Sequence, residues 1–316
     1  MARCRLCGGQ AEHYFAYARL WLCGRCFTER FFPNRVRRTV ETYKMFNPTG
    51  RIAVAISGGK DSAALLHSLR QAFPALRLVA VHLDLGIKDY SDNARRSCEE
   101  LCSLLDVELK VYSLKEAEGF TVEDFKATRY GRKMCSVCGV IKRRRLSRIA
   151  AELEVEALAT GHNLDDTVEA LMATFTAGDF QQLVRLKPVL PAYRNFPAKV
   201  KPLFRTPEAE AKLYVEILGL PFNRRVCPHV SGSRSLKGKR LLDFWEKERP
   251  GFKYQLLAAF EKLIPLIEPE IPQPELKVCE ICGYPSSASI CSDCRRIEAV
   301  KRALSRAREA ASPSPA

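Results

Sequence analysis

The sequence predicts an α/β protein, a doubly wound parallel sheet flanked by a small zinc module at each end. Three observations carry this. Short apolar runs alternate with helical stretches through the middle of the chain, the rhythm of repeated βαβ units. One of those runs, 51–56, empties directly into Ser57-Gly58-Gly59-Lys60-Asp61-Ser62. Paired Cys-x-x-Cys motifs bracket the chain near both ends.

Taken in order, Cys4-x-x-Cys7 and Cys23-x-x-Cys26 stand fifteen residues apart, within the spacing of a four-cysteine zinc site. Tetrahedral thiolate coordination staples a segment too short to hold its own core, so 1–33 reads as an N-terminal zinc module. The catalytic unit is then expected over 34–230. Its first strand, 51–56, leads into a glycine turn and a helix from Asp61 to about Gln71. That geometry aims backbone N–H groups and a helix N-terminus at one point, which suits a phosphate chain. Gly58 and Gly59 admit close backbone approach, Lys60 adds a cation, and Ser57 and Ser62 add hydroxyls. A Walker loop is excluded, because its first glycine would fall at Val54.

Strands follow at 77–83, 108–113 and 156–160, with helices at 92–105, 140–153 and 164–175. The loops 84–87 and 161–166 would share the rim at the strands' carboxyl ends, where ligands bind in such sheets. Asp165 and Asp166 there suit magnesium, and a solvated helix start is the plain alternative. His162 reads as a capping or hydrogen-bonding residue. The stretch 188–202 is proline-punctuated and expected to be irregular. Thr206-Pro207-Glu208 opens a helix running to Leu218, with Pro in its first turn. A helical extension, 231–270, holds helices at 236–248 and 252–267. Ile271-Pro272-Gln273-Pro274 is a stiff linker into a C-terminal zinc ribbon, 271–307, built on Cys279, Cys282, Cys291 and Cys294. The tail 308–316 is expected to be disordered.

Three of the 13 cysteines remain near chemistry. Cys135 and Cys138 precede the helix expected from Val140, a position that favours thiolates. Cys227 lies far downstream, beside Pro228, in an irregular stretch 223–233. Spacing alone admits three readings: an iron–sulfur cluster with one open iron, zinc completed by His229 or His162, and a redox thiol pair. Cys98 and Cys102, one helical turn apart, read as packing thiols. The balance of 51 Lys+Arg against 36 Asp+Glu, +15 net, points to a polyanionic partner. Lys142-Arg143-Arg144-Arg145 and Arg148 form a basic stripe after the cysteine pair, read as a phosphate-contacting path or a solvated face. No leader-like or membrane-spanning run is present, so a cytoplasmic protein is expected.

The hexapeptide 57–62 resembles the SGGxDS signature of the PP-loop ATP pyrophosphatases. The wider order resembles the tRNA 2-thiouridine synthetases over nearly the whole chain, from Cys4 to about Ala303: CxxC pairs, SGGKDS, Cys-Ser-Val-Cys-Gly with a basic helix, Ala159–Asp166 (ATGHNLDD), an isolated Cys-Pro and a closing ribbon. Cys282-Gly283-Tyr284-Pro285-Ser286-Ser287 and Arg249-Pro250-Gly251-Phe252-Lys253 look most like the TtuA-type members, which act on the T-loop 5-methyluridine at position 54. The cytosolic wobble-uridine thiolases are the alternative within the group, whereas the TtcA relatives share the PP-loop and paired cysteines but generally lack both zinc modules and act on a cytidine.

The resemblance implies ATP, Mg2+, a [4Fe-4S] cluster on Cys135, Cys138 and Cys227, and two Zn2+. It implies adenine lined by Ala55 and Leu83, and the triphosphate faced by residues 57–62, Lys142, Gly161 and Asp166. It implies tRNA as substrate, a ubiquitin-like thiocarboxylate carrier or inorganic sulfide as sulfur donor, and a homodimer. Two departures stand out: Cys26 where such modules often have histidine, and Thr167-Val168-Glu169-Ala170 after Asp166. A non-catalytic zinc-containing RNA binder would need neither the loop nor the three extra cysteines. An ammonia-using PP-loop ligase would leave those cysteines unexplained.

Overall fold

A computed structural model describes residues 2–230, 234–272 and 275–311. The last three residues of the irregular stretch expected over 223–233, Gln273 and Pro274 of the linker, and 312–316 of the tail lie outside the described residues.

The chain opens with a hairpin of β1 (His13–Phe15) and β2 (Leu20–Leu22), followed by α1 (Phe32–Thr42). Then come β3 (Arg51–Ala55), α2 (Lys60–Ala72), β4 (Arg77–Asp84), α3 (Lys88–Leu105) and β5 (Glu108–Ser113). The second half holds α4 (Met134–Glu152), β6 (Ala157–Thr160), α5 (Leu164–Thr176), β7 (Val189–Leu190), β8 (Ala198–Val200) and α6 (Glu208–Ile217). It closes with α7 (Arg234–Glu248), α8 (Phe252–Ile267), β9 (Lys277–Val278), β10 (Pro285–Ser286) and α9 (Ser292–Ala311).

Six strands form the main sheet in the order β5-β4-β3-β6-β8-β7, parallel throughout except for β7 against β8. Side chains alternate across β3. Ile52 and Val54 enter a core with Val36, Leu65, Leu66 and Tyr214, whereas Ala53 and Ala55 meet Ile149 and Ala150 of α4 on the other face. The strand order reverses between β3 and β6, which opens a crevice at their carboxyl ends, the usual ligand position in such sheets. Cys4, Cys26 and Phe27 of the N-terminal segment belong to the same core as β3, and α7 and α8 pack with α5 around Leu164, Leu242 and Leu257.

Several boundaries differ from the sequence reading. The helix expected from Val140 begins at Met134, so Cys135 and Cys138 lie within its first turns. Gly139 looks like a boundary, but Met134, Val137 and Ile141 bury a continuous apolar stripe that carries the helix through it. Helix α3 likewise starts four residues early, with Ser91 Oγ accepting from Ile87 N–H. The stretch 188–202 is not irregular: it supplies β7 and β8, because its prolines fall just outside the paired residues and cost the ladder no donor. The tail is helical to Ala311, not disordered from Arg308, with Ile297 and Val300 packed on the cluster around Phe120 and Val137.

Candidate active site

The crevice is built by the turn between β3 and α2. Gly58 takes φ +76°, and a Cβ there would lie 2.6 Å from Ala94 O, so neither the conformation nor the space admits a side chain. Ser62 Oγ donates to Gly59 O at 2.8 Å and accepts from Ser57 N–H at 3.2 Å, which closes the turn on itself. No side chain caps α2, leaving its N-terminus directed at the crevice. Across the opening, a Cβ on Gly161 would meet Asp61 and Ser62 backbone at 3.2 Å, so the β6 rim approaches the turn closely.

A cavity of about 330 Å³ occupies the crevice. Ala55, Ser57, Asp61, Ser62, Lys142, Gly161 and Asp166 are brought together in its lining, with Arg143 and Lys199 beside them. Leu83 does not line it; this side chain is buried against the cluster around Leu85 and Phe120. His162 stands on the rim, its Nδ1 2.8 Å from Thr160 Oγ1. Gly59 and Lys60 face an adjoining cavity of about 670 Å³, which they share with Asp61, Tyr90, Asn223 and Cys227.

Further polar and charged side chains complete the rim. Asn163 caps α5 in a reciprocal box with Asp166 and donates to Asp61 Oδ1 at 3.1 Å. The local signal was there, an Asn followed three residues later by an acid. Asp165 turns inward, accepting from Lys253 Nζ at 2.5 Å and Glu208 N–H at 2.7 Å. It is thus an anchor for α6 and α8 rather than a solvated helix start. Glu208 bridges Lys60 Nζ and Lys239 Nζ, 2.7 Å each, and Lys239 also reaches Asp166 Oδ1 at 2.5 Å. Glu208 and Lys239 lie far apart in sequence, and nothing local marks their pairing.

The three isolated cysteines come from adjoining elements beside this crevice, with their Sγ atoms not all within 4.8 Å of one another. Cys138 and Cys227 pack against the same apolar cluster, and Cys135 Sγ donates to His229 O at 3.0 Å, two residues beyond Cys227. Burial raises the Cys138 thiol pKa, while the Lys142 ammonium one turn further along α4 opposes the rise. The 223–227 strand of loop is tied to the phosphate turn by Asn223 N–H donating to Gly58 O at 2.7 Å. His229 pairs through Nε2 with Glu123, and His162 lies on the nucleotide rim, so neither imidazole completes a four-ligand group with these thiols among the described residues. Three soft sulfur donors, two from one helix turn and one from the facing loop, fit a cluster that leaves one iron free of protein ligands.

A family model described as a PP-loop domain matches residues 32–224. The chain is 34% identical over 293 residues to the tRNA-5-methyluridine(54) 2-sulfurtransferase of Pyrococcus horikoshii, covering 93% of each. It is 35% identical over 300 residues to the protein of the same name from Thermus thermophilus, covering 95% of this chain and 92% of that one. The chain belongs to the PP-loop tRNA sulfurtransferase family. A solved structure similar to this sulfurtransferase is the U34-tRNA thiolase NcsA from Methanococcus maripaludis with its [4Fe-4S] cluster. The two share 28% identity at a TM-score of 0.81, over 94% and 96% of the chains.

The sulfurtransferase carries two further thiol groups. Sγ atoms of Cys4, Cys7, Cys23 and Cys26 lie within 4.8 Å of one another, as do those of Cys279, Cys282, Cys291 and Cys294. Backbone N–H groups point at the sulfurs, Cys26 to Cys23 at 3.3 Å and Cys291 to Cys279 at 3.3 Å, a donor set that suits tetrahedral zinc. The basic stripe of α4 is not one RNA-facing surface. Lys142 and Arg143 turn into the nucleotide cavity. Arg144 stacks on Tyr284 at 3.5 Å and donates to Pro285 O. Arg145 is buried between Glu118, 3.0 Å away, and Asp293, 3.5 Å away. These two arginines dock the C-terminal thiol module on the helix that carries Cys135 and Cys138. Arg148 is exposed and paired with Glu152, and Arg143, though it borders the cavity, is exposed as well. Cys98 and Cys102 are buried, and burial pushes their pKa values up to about 12 and 11, consistent with packing thiols.

Proposed function

We propose that the protein is an ATP-dependent tRNA 2-thiolase of the cytoplasm, replacing the C2 oxygen of the T-loop 5-methyluridine at position 54 with sulfur. The observation that carries this reading is the continuity of the phosphate turn with the thiols. Lys142 and Cys138 share one turn of α4, and Lys60 and Cys227 line one cavity. Activation and sulfur delivery thus have adjoining cavities that share Asp61.

A uracil C2 oxygen is a poor leaving group. Its attack on the ATP α-phosphate forms a C2–O–AMP bond and expels pyrophosphate. The N-terminus of α2, Lys60 and Lys142 stabilise the charge that develops on the departing phosphates. Asp61 and Asp166 would hold Mg2+ there. Sulfur, arriving as hydrosulfide, adds at C2, and the C2–O bond breaks to release AMP and leave C2=S. Cys135, Cys138 and Cys227 would hold a [4Fe-4S] cluster, which when bound supplies an open iron for the incoming sulfur. Leu85, Phe120 and Val137 form the apolar wall beside them and limit competing water. The two four-thiol groups would hold Zn2+ as structural ions. Sulfur would come from a thiocarboxylate carrier or inorganic sulfide, and the assembly would be a homodimer.

A second reading, thiolation of the wobble uridine, is favoured by the similarity to the U34-tRNA thiolase. Anaerobic incubation with tRNA, ATP and sulfide tests the shared chemistry. AMP and pyrophosphate should appear in step with 2-thiouridine. Nucleotide cleavage with unthiolated tRNA, or thiolation without ATP, would refute the mechanism.

A further inference from the structure

Five charged side chains form a continuous line from the phosphate turn to Asp166, and three of them, Lys60, Glu208 and Lys239, line a further cavity of about 700 Å³ beside the crevice. Asp61 Oδ2 is 2.9 Å from Lys60 Nζ, and Lys60 is 2.7 Å from Glu208 Oε1. Glu208 Oε2 is 2.7 Å from Lys239 Nζ, which is 2.5 Å from Asp166 Oδ1. Four helices contribute: α2, α6, α7 and α5. Lys239 is the member that reaches in from the helical extension, and its side chain is 18% exposed, as enclosed as the 23% of Lys60 in the phosphate turn itself.

Glu208 gives one carboxylate oxygen to each lysine. Burial alone would raise its pKa, but hydrogen bonds from Lys239 and Lys60 outweigh burial and hold it at about 2. One carboxylate thus holds the two ammonium groups at a fixed separation. Each ammonium has three donors, of which Lys60 spends two on carboxylates and Lys239 two. A magnesium–triphosphate would draw Asp61 and Asp166 toward the metal and free further N–H groups on both lysines for phosphate oxygens.

We propose that Lys239 is a second phosphate-binding ammonium of the nucleotide site, paired with Lys60 on the pyrophosphate end of ATP, and that Glu208 is the positioning residue that sets both. The inference rests on the ATP-dependent reading above and adds to it a residue from outside the 32–224 PP-loop match.

The test compares ligands that differ only in phosphates. Calorimetric binding of Mg-ATP, pyrophosphate and AMP is measured on the full-length metal-loaded enzyme and on Lys239→Ala, Lys239→Arg and Glu208→Gln. KM for ATP and kcat for AMP formation are measured alongside. Lys239→Ala should weaken ATP and pyrophosphate by about ten- to hundredfold, the scale of a lost charge-assisted hydrogen bond, and leave AMP within about twofold. Lys239→Arg should recover most of the loss. Glu208 acts through the lysines, so the double variant Glu208→Gln/Lys239→Ala should lose less than the product of the two single losses. Lys237→Ala, on the exposed face of α7, should bind all three ligands normally. An equal loss of ATP and AMP, or no loss, overturns the role of Lys239, since a merely misfolded site cannot discriminate by phosphate number. Multiplicative single effects overturn the role of Glu208. A wild-type enzyme that binds ATP but thiolates no tRNA would instead refute the thiolase reading and leave this one standing.

Discussion

Arg145 offers the most quantitative test of how the C-terminal thiol module is joined to the catalytic helix. Its side chain is 7% exposed and lies between Glu118, 14% exposed, and Asp293, 3% exposed. Asp293 sits beside Cys294, so the ion pair spans from α4 to the C-terminal four-thiol turn. Arg145→Ala leaves two enclosed carboxylates without their cation, which costs about 3–5 kcal/mol for a buried pair broken on one side. In a chain of this size that corresponds to a fall in Tm on the order of 5–8 °C. Burial already raises the Asp293 pKa, with Arg145 opposing it. Removing the arginine lets Asp293 take up a proton more readily, so the penalty should shrink as the pH is lowered. The assay is thermal unfolding from pH 5 to pH 8, with zinc release to a chromogenic chelator followed on the same samples. Faster zinc release and a lower Tm at pH 8 are expected, with tRNA affinity changed little. Unchanged melting and zinc release, with weakened and less salt-sensitive tRNA binding, would refute the docking role and restore an RNA-facing one.

Three further outcomes follow from the geometry. Gly58→Ala should lose nucleotide binding and at least about 1–2 kcal/mol of stability, from the left-handed backbone and the contact with Ala94 O. Gly59→Ala, whose Cβ would meet nothing nearer than Ser57 Oγ at 3.4 Å, should melt near wild type in the same thermal scan. Cys135→Ser, Cys138→Ser and Cys227→Ser should each lose iron and sulfide on anaerobic reconstitution while keeping zinc, and Cys98→Ser should keep both. A full iron complement in any of the three would break the ligand assignment. Burial lowers the Lys201 pKa to about 8, with Asp166 opposing. Between that value and the unfolded 10.5 the native state binds fewer protons, so stability contributed by this residue rises with pH across the window. Lys201→Met should therefore be more stable at pH 7 and should flatten that rise in denaturant titrations.

The parallel sheet and phosphate turn were legible because their signals are local. Apolar runs at 51–55 and 77–84 are buried on both faces, and the Gly58 turn has to be glycine. Both four-thiol groups were legible from spacing, because closed tetrahedral sites constrain it tightly. Strands β7 and β8 were hidden because Pro188, Pro191, Pro197 and Pro202 read as breakers although none occupies a paired position. The start of α4 was hidden by Gly139, whose weak propensity is overridden by tertiary burial. Arg144 and Arg145 resemble an RNA-binding run in one dimension, and only Tyr284, Glu118 and Asp293 brought up in three dimensions reveal them as clamps. Glu208 and Lys239 had no legible signal at all, since an ion pair between distant helices leaves no periodic or compositional trace.

The central claim is that this crevice activates a uridine of tRNA and delivers sulfur to its C2. Its most direct test is mass spectrometry of nuclease fragments from tRNA thiolated by the anaerobically reconstituted enzyme with ATP and sulfide. A gain of one sulfur for one oxygen is expected in the T-loop fragment containing position 54, absent without ATP and absent with the Cys138→Ser variant. Sulfur in the anticodon fragment instead would transfer the activity to position 34. A T-loop product formed equally well by Cys138→Ser would contradict the account.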